Sequence, residues 1–294
     1  MLNLFHINRD SRLITGFILV SITLSCSNQK KDSSEQIAYN QTTNTKIFES
    51  ISSETSNIVF SNDLKENVET YDNVFNFDYF YNGAGVAVED INNDGLLDII
   101  FSGNQVENKL YLNKGDFKFE DISKSSGINT GKKWSNGVTF VDINNDGWQD
   151  IYISQGGPNN RSNRNNLLFI NNHDLTFTEK AQELGLDDPG ISLDPISLLK
   201  TVNTSDETRY FNSSHFYKNV NGKFIDATKE VGIENPIFGL GLCVSDINED
   251  GYLDIYISSD YYLPDAIYLN NQNGSFKNSV KDLTTRYIRL RYGL

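Results

Sequence analysis

The sequence predicts an all-β chain built from β-propeller blades, and three observations predict it. A nine-residue acidic loop occurs three times, each copy running straight into an apolar run of β type. The loops begin at Asp90, Asp142 and Asp246, 52 and 104 residues apart, so the second interval is twice the first. Around each loop the same short apolar runs recur in the same order. Four short strands in a unit of roughly 50 residues is the pattern of a propeller blade, whose faces are buried only against neighbouring blades.

The first loop reads Asp90-Ile-Asn-Asn-Asp-Gly-Leu-Leu-Asp98. Side-chain oxygens fall at positions 1, 3, 5 and 9, from Asp90, Asn92, Asp94 and Asp98, and Gly95 at position 6 allows a sharp turn. The carbonyl of Leu96, at position 7, is then free to point inward. A hard cation such as Ca²⁺ takes such a set, with several carboxylate, amide and carbonyl oxygens gathered by one tight loop. The second loop offers Asp142, Asn144, Asp146, the Trp148 carbonyl and Asp150; the third offers Asp246, Asn248, Asp250, the Tyr252 carbonyl and Asp254. Three Ca²⁺ sites are therefore expected. An EF-hand shares this spacing but needs a bidentate Glu at position 12 that leads into a helix. Position 12 here is Phe101, Ile153 and Ile257, each inside a β-type run, which excludes that motif.

Taken in order, residues 1–25 read as a secretory signal. Arg9 and Arg12 supply its positive start, and the 12 residues from Leu13 to Leu24 are mostly apolar, too few for a spanning helix of about 20. Ser25-Cys26 then gives way to polar residues, which resembles a bacterial lipoprotein signal and implies lipidation of Cys26. Thr23 departs from that pattern, where Leu is usual three residues before the Cys. Without the lipid the same segment makes the protein secreted. Residues 26–45 are mostly Ser, Asn, Gln, Lys and Thr and read as a solvated tether.

Residues 46–294 form the repeat region. Ile58-Val-Phe60 and the aromatic run from Val74 to Tyr81 alternate as strands do. Blade units follow at about 83–128, 134–186, 187–233 and 237–284, with the start of another at 286–294. In each full unit a Gly-bearing strand leads into the loop and an Ile-Tyr-Ile-Ser type strand leaves it. The third strand is Lys109–Asn113, Leu167–Asn171, Phe216–Asn219 or Ala266–Asn270, and the fourth opens at Phe119, Phe177, Phe224 or Phe276. Gly127-Ile128, Gly185-Leu186 and Gly232-Ile233 close three of the units. The unit at 187–233 is degenerate. Its loop should start at Asp194, yet Ile196, Leu198 and Val202 stand where ligands belong, with Pro195 between. Thr178 to Leu184 is the one weakly helical stretch.

A net charge of −14 disfavours nucleic acid and anionic membrane as partners, since both want clustered Lys and Arg. Contact with a membrane is expected through the lipid anchor alone. Cys26 and Cys243 are the two cysteines, so lipidation of the first leaves Cys243 as a small buried hydrophobe. No His pair has metal spacing, and neither a Gly-x-Ser-x-Gly elbow nor a phosphate-cradling Gly loop occurs. His173 and His215 fall in turn or connector positions of separate repeats. Trp134 reads as packing between blades, while Trp148, at loop position 7, is open to either packing or exposure.

The words Gly-x-Gly-Val-Ala-Val, Asp-x-Asn-x-Asp-Gly-x-x-Asp and Leu-Tyr-Leu-Asn followed by Phe resemble the FG-GAP (VCBS) repeat family, the blades of integrin-α-type propellers. The resemblance covers about residues 46–294 and is marked in three of four blades. With the signal, it looks most like bacterial surface members related to proteins that also carry an ASPIC/UnbV domain. It implies a propeller of about seven blades with Ca²⁺ between blade strands, so four blades read as a truncated member, with a closed four-blade ring as the alternative. The expected function is a Ca²⁺-stabilised, non-enzymatic binding module for a protein or glycan. Its expected place is the cell envelope, as an outer-membrane or surface lipoprotein of a Gram-negative-type bacterium. The alternatives are a polysaccharide hydrolase or lyase on the same scaffold and a non-functional fragment of a longer surface protein.

Overall fold

The computed structural model describes residues 48–128, 131–157, 164–188, 214–233, 239–259 and 264–283. The chain divides into two compact units, Met1–Glu49 and Ser50–Leu294, and only Phe48 and Glu49 of the first are described. The signal at 1–25, Cys26, the tether at 26–45, Asp194 and the incomplete unit at 286–294 lie outside the described residues.

The described chain is all-β, arranged as blade-type sheets. Strands β1 (Val86–Glu89), β2 (Asp98–Phe101), β3 (Lys109–Asn113) and β4 (Phe119–Asp121) form the first sheet in chain order, antiparallel throughout. The second repeats it with β5 (Ser135–Val141), β6 (Asp150–Gln155), β7 (Leu167–Asn171) and β8 (Phe177–Glu179). Of the third, two strands are described, β9 (Tyr217–Val220) and β10 (Lys223–Asp226). The fourth is complete, with β11 (Gly239–Ser245), β12 (Asp254–Ser259), β13 (Ala266–Asn270) and β14 (Phe276–Asn278). Among the described residues helix is limited to single turns: α1 (Ser53–Ser56), α2 (Ala181–Leu184) and α3 (Val280–Leu283). Position 12 of each loop does lie in a strand, β2, β6 or β12.

Each sheet is too small to bury its own faces, so it packs against the next. Ile100, Leu110, Leu112 and Ile122 of the first sheet share one core with Ile151, Ile153, Leu167, Phe169 and Phe177 of the second. At about 1.5–3 kcal/mol for each large side chain withdrawn from water, such joints carry much of the stability. Backbone bonds stitch them as well. Phe177 N–H donates to the Ser126 carbonyl at 2.8 Å, and Phe276 N–H to the Val231 carbonyl at 2.7 Å. In both, the acceptor stands just before the closing Gly, which is left-handed at φ 81° for Gly127 and 85° for Gly232. A Cβ at Gly185 would stand 2.4 Å from the Phe224 carbonyl oxygen, and one at Gly232 2.7 Å from that of Phe276. The Gly is thus required twice over, by its dihedral and by the approach of the next blade. The residue after it, Ile128, Leu186 or Ile233, is buried in the joint.

Three expectations are corrected. Val74 to Tyr81 is a series of turns, because the Asn73 side chain accepts from the N–H groups of Phe75 (3.0 Å) and Asn76 (3.1 Å) and turns the chain. That Asx capping competes with strand pairing. It leaves Phe77 and Phe80 on one side, packed against Trp134 with ring centroids 5.7 and 5.3 Å away. Ile58-Val-Phe60 pairs with no strand and lies across the first sheet, its Phe60 ring stacked on Phe101 at 5.0 Å. Cys243 is exposed rather than buried, since every residue of β11 is exposed.

Candidate metal centres

Each acidic loop joins the first two strands of its sheet, and the three loops fold alike. Position 4 is left-handed in all of them (Asn93 at φ 58°, Asn145 and Glu249 at 60°), as is the Gly at position 6. Two consecutive departures from extended backbone within three residues curl the loop back on itself, and the side chains at positions 1, 3 and 5 face inward. Asp90 Oδ1 accepts from Asp94 N–H at 3.2 Å and Oδ2 from Gly95 N–H at 2.7 Å. Asn92 Oδ1 accepts from the same Asp94 N–H, while its amide donates to Asp94 Oδ2 at 2.9 Å. Leu96 N–H in turn donates to Asp94 Oδ1 at 2.8 Å. The second loop repeats every one of these bonds with Asp142, Asn144, Asp146 and Trp148. The third does so with Asp246, Asn248, Asp250 and Tyr252.

Position 9 plays another part. Asp98, Asp150 and Asp254 are wholly buried. Asp98 Oδ2 accepts from Ile91 N–H at 3.0 Å and Oδ1 from Asn113 N–H at 2.7 Å. Asp150 and Asp254 hold the matching donors, Ile143 with Asn171 and Ile247 with Asn270. This carboxylate therefore pins the loop's start to the third strand. Burial pushes the Asp98 and Asp150 carboxyls above their usual range against those bonds, and the charges at positions 5 and 1 push the same way. Asp146 and Asp250 are lowered, first by the N–H of Trp148 and Tyr252 respectively.

Among the described residues, no group of three or more His, Cys, Asp or Glu side chains is arranged to hold a metal ion by itself. The donor set in each loop is accordingly mixed: two inward carboxylates, one amide, the backbone of position 7 and a buried carboxylate behind them. Oxygen donors of this kind under mutual charge repulsion suit a hard divalent cation.

Residues 90–153 match the model of the FG-GAP-like repeat. The chain is 39% identical over 77 residues to cartilage acidic protein 1 of Xenopus tropicalis, covering 26% of this chain and 12% of that protein. To the human protein of the same name it is 26% identical over 217 residues, 67% of this chain and 31% of the relative. To integrin alpha-8 of Gallus gallus it is 33% identical over 106 residues, 31% of this chain and 10% of the relative. The chain thus spans less than a third of the length of each of these relatives. The FG-GAP-like match contains the first two loops complete.

Two groups beside the loops escaped the sequence reading. His173, on the β7–β8 turn, places Nε2 3.1 Å from Asp146 Oδ2 and stacks on the Trp148 ring at 4.6 Å. Gln272 occupies the same turn position in the fourth sheet and donates to Asp250 Oδ2 at 3.2 Å. The signal was available, since each stands two residues after the Asn that ends the third strand. The second group has no sequence signal. His215 Nδ1 lies 2.8 Å from Asp188 Oδ2 and 3.7 Å from Asp226 Oδ2, and Tyr217 OH donates to Asp188 at 2.9 Å. With Tyr152, whose hydroxyl burial pushes up to about 12, Asp188, His215 and Tyr217 line a cavity of about 590 Å³.

Proposed function

We propose that the chain is a binding module of propeller-type blades, stabilised by Ca²⁺ in its three acidic loops and used without catalysis to hold a protein or glycan. The repetition of one hydrogen-bond network in all three loops carries this reading, because the shared Asp-Ile-Asn-x-Asp-Gly-x-x-Asp word turns the same donors inward each time. Asp90, Asn92, Asp94, the Leu96 carbonyl and Asp98 would hold the first ion, with the matching residues of the other loops holding the second and third. Bound Ca²⁺ neutralises carboxylates that otherwise repel one another, and so favours the folded loop. The FG-GAP-like match supports a binding module. The segment ending at Cys26 supports a lipid tether at the cell envelope, with an outer-membrane or surface location in a Gram-negative-type bacterium.

The test is the melting temperature with and without chelator. An ion that binds only the folded chain adds RT ln(1 + [L]/Kd), and extracellular sites of this kind have Kd of roughly 10⁻⁴ to 10⁻³ M. At millimolar Ca²⁺ each site then contributes about 0.4 to 1.4 kcal/mol. Chelation is expected to lower the melting temperature by several degrees; no change would remove Ca²⁺ as a structural ion.

A second reading, a polysaccharide hydrolase or lyase, is favoured by one observation, the His215 contacts with Asp188 and Asp226 at a cavity wall. Turnover of an envelope polysaccharide by the purified chain, lost in Asp188→Asn, would establish it.

A further inference from the structure

The three acidic loops share their own bonds but not the side chain that reaches them from outside. Each loop is tied to the hairpin turn between the third and fourth strands of its sheet, and the three turns are built alike. Lys114, Asn172 and Asn271 N–H donate to the carbonyls of Lys118, Thr176 and Ser275 at 2.7, 2.9 and 2.9 Å. The next residue, Gly115, His173 or Gln272, donates its N–H at 2.9 Å to the Asn that ends the third strand. All three are left-handed, at φ 82°, 68° and 62°. The same Asn also donates to a loop carbonyl, Leu97, Gln149 or Leu253, so turn and loop keep one fixed relation.

What differs is the side chain at that turn position. His173 Nε2 lies 3.1 Å from Asp146 Oδ2, and the Trp148 ring stacked at 4.6 Å holds the imidazole there. Gln272 Nε2 donates to Asp250 Oδ2 at 3.2 Å. Gly115 offers nothing, and among the described residues no side chain from outside the first loop bonds to Asp94. A left-handed backbone is unfavourable for a residue with a Cβ. The second and third turns nevertheless carry a long polar side chain there, and both end on the same carboxylate oxygen. A Cβ at Gly115 meets open space, so nothing in the first turn bars one.

We propose that this turn residue positions the carboxylate at loop position 5 and so grades the three ion sites, the second and third binding Ca²⁺ tightly and the first weakly. The proposal rests on the reading of the loops as Ca²⁺ sites. Asp94, Asp146 and Asp250 are all exposed, where an untethered carboxylate samples several rotamers. Binding an ion confines it to one. A partner that already fixes the side chain removes that ordering cost before the ion arrives. Outer partners of metal ligands typically change affinity by about 10- to 100-fold. The bonds common to all three loops cannot produce a difference between them.

Calorimetric titration of the intact chain with Ca²⁺ tests this. Two sites should fill first, and the third at about tenfold higher Ca²⁺ or more. Asp94→Ala should remove only the weaker step. Gly115→Gln should tighten that step by about tenfold, while His173→Gly and Gln272→Gly should each turn one tight step into a weak one. His173→Gln, which keeps a donor of the Gln272 kind, should stay tight. Three equal sites in the unaltered chain overturn the proposal and leave the Ca²⁺ reading standing. So does a weak step that Gly115→Gln leaves unchanged. Tight binding in both His173→Gly and Gln272→Gly overturns it independently of the variant at Gly115. Absence of binding at millimolar Ca²⁺ overturns the proposal and the Ca²⁺ reading together.

Discussion

The Asn171 side-chain amide donates to the Ile91 carbonyl at 2.9 Å and to the Gln149 carbonyl at 3.1 Å, so one residue ties the acidic loops of two adjacent sheets to a single strand end. Its counterparts Asn113 and Asn270 reach only their own loops, at Leu97 and Leu253. Asn171 is buried. Replacing it by Ala leaves the buried Ile91 carbonyl and the part-buried Gln149 carbonyl without this donor, at about 1–3 kcal/mol for a buried group left unsatisfied. Denaturant unfolding should show Asn171→Ala more destabilising than Asn270→Ala, whose bond is exposed. Equal losses would mean that the bridge between loops adds nothing.

Two left-handed glycines, Gly95 of the first loop and the closing Gly185, separate dihedral strain from steric conflict. Gly95 and Gly185 have nearly the same φ, 84° and 79°, but a Cβ on Gly95 meets open space and one on Gly185 meets the Phe224 carbonyl at 2.4 Å. Ala at either position incurs about 1–3 kcal/mol of left-handed strain. Gly185→Ala should lose stability beyond that in a thermal melt, because a backbone atom of the next blade has to move. Similar melting points for the two variants would contradict the joint as described.

Trp134 is the anchor of the aromatic cluster formed with Phe77 and Phe80. Trp134→Ala should cost about 3–5 kcal/mol, the range for removing a buried large aromatic. Trp148→Ala, whose ring stacks on the partly exposed His173, should cost much less. The pair of unfolding curves checks both.

Most of this architecture was legible because it is repeated. Lys109–Asn113, Leu167–Asn171 and Ala266–Asn270 could be aligned by eye, and the loops carry their spacing openly. Single-copy features were not. Val74 to Tyr81 alternates like a strand, yet one Asn side chain capping two N–H groups outweighed that pattern. Position 9 read as one more ligand among equals, whereas Asp98, Asp150 and Asp254 also anchor each loop to the third strand, a bond that spacing alone does not reveal. The meeting of His215 with Asp188 and Asp226 depends on how two sheets approach, and no local pattern encodes it.

Lipidation of Cys26 gives a direct labelling test. A fatty-acid analogue fed to expressing cells should mark the wild-type chain and not Cys26→Ala. Release of both forms into the medium in equal amounts would leave secretion in place of anchoring.

Calorimetric titration of residues 27–294 with Ca²⁺ tests the central claim most directly. The account predicts a stoichiometry near three, falling to two in Asp142→Ala and unchanged in Asp194→Ala. A stoichiometry of four, or no binding at millimolar Ca²⁺, would contradict it.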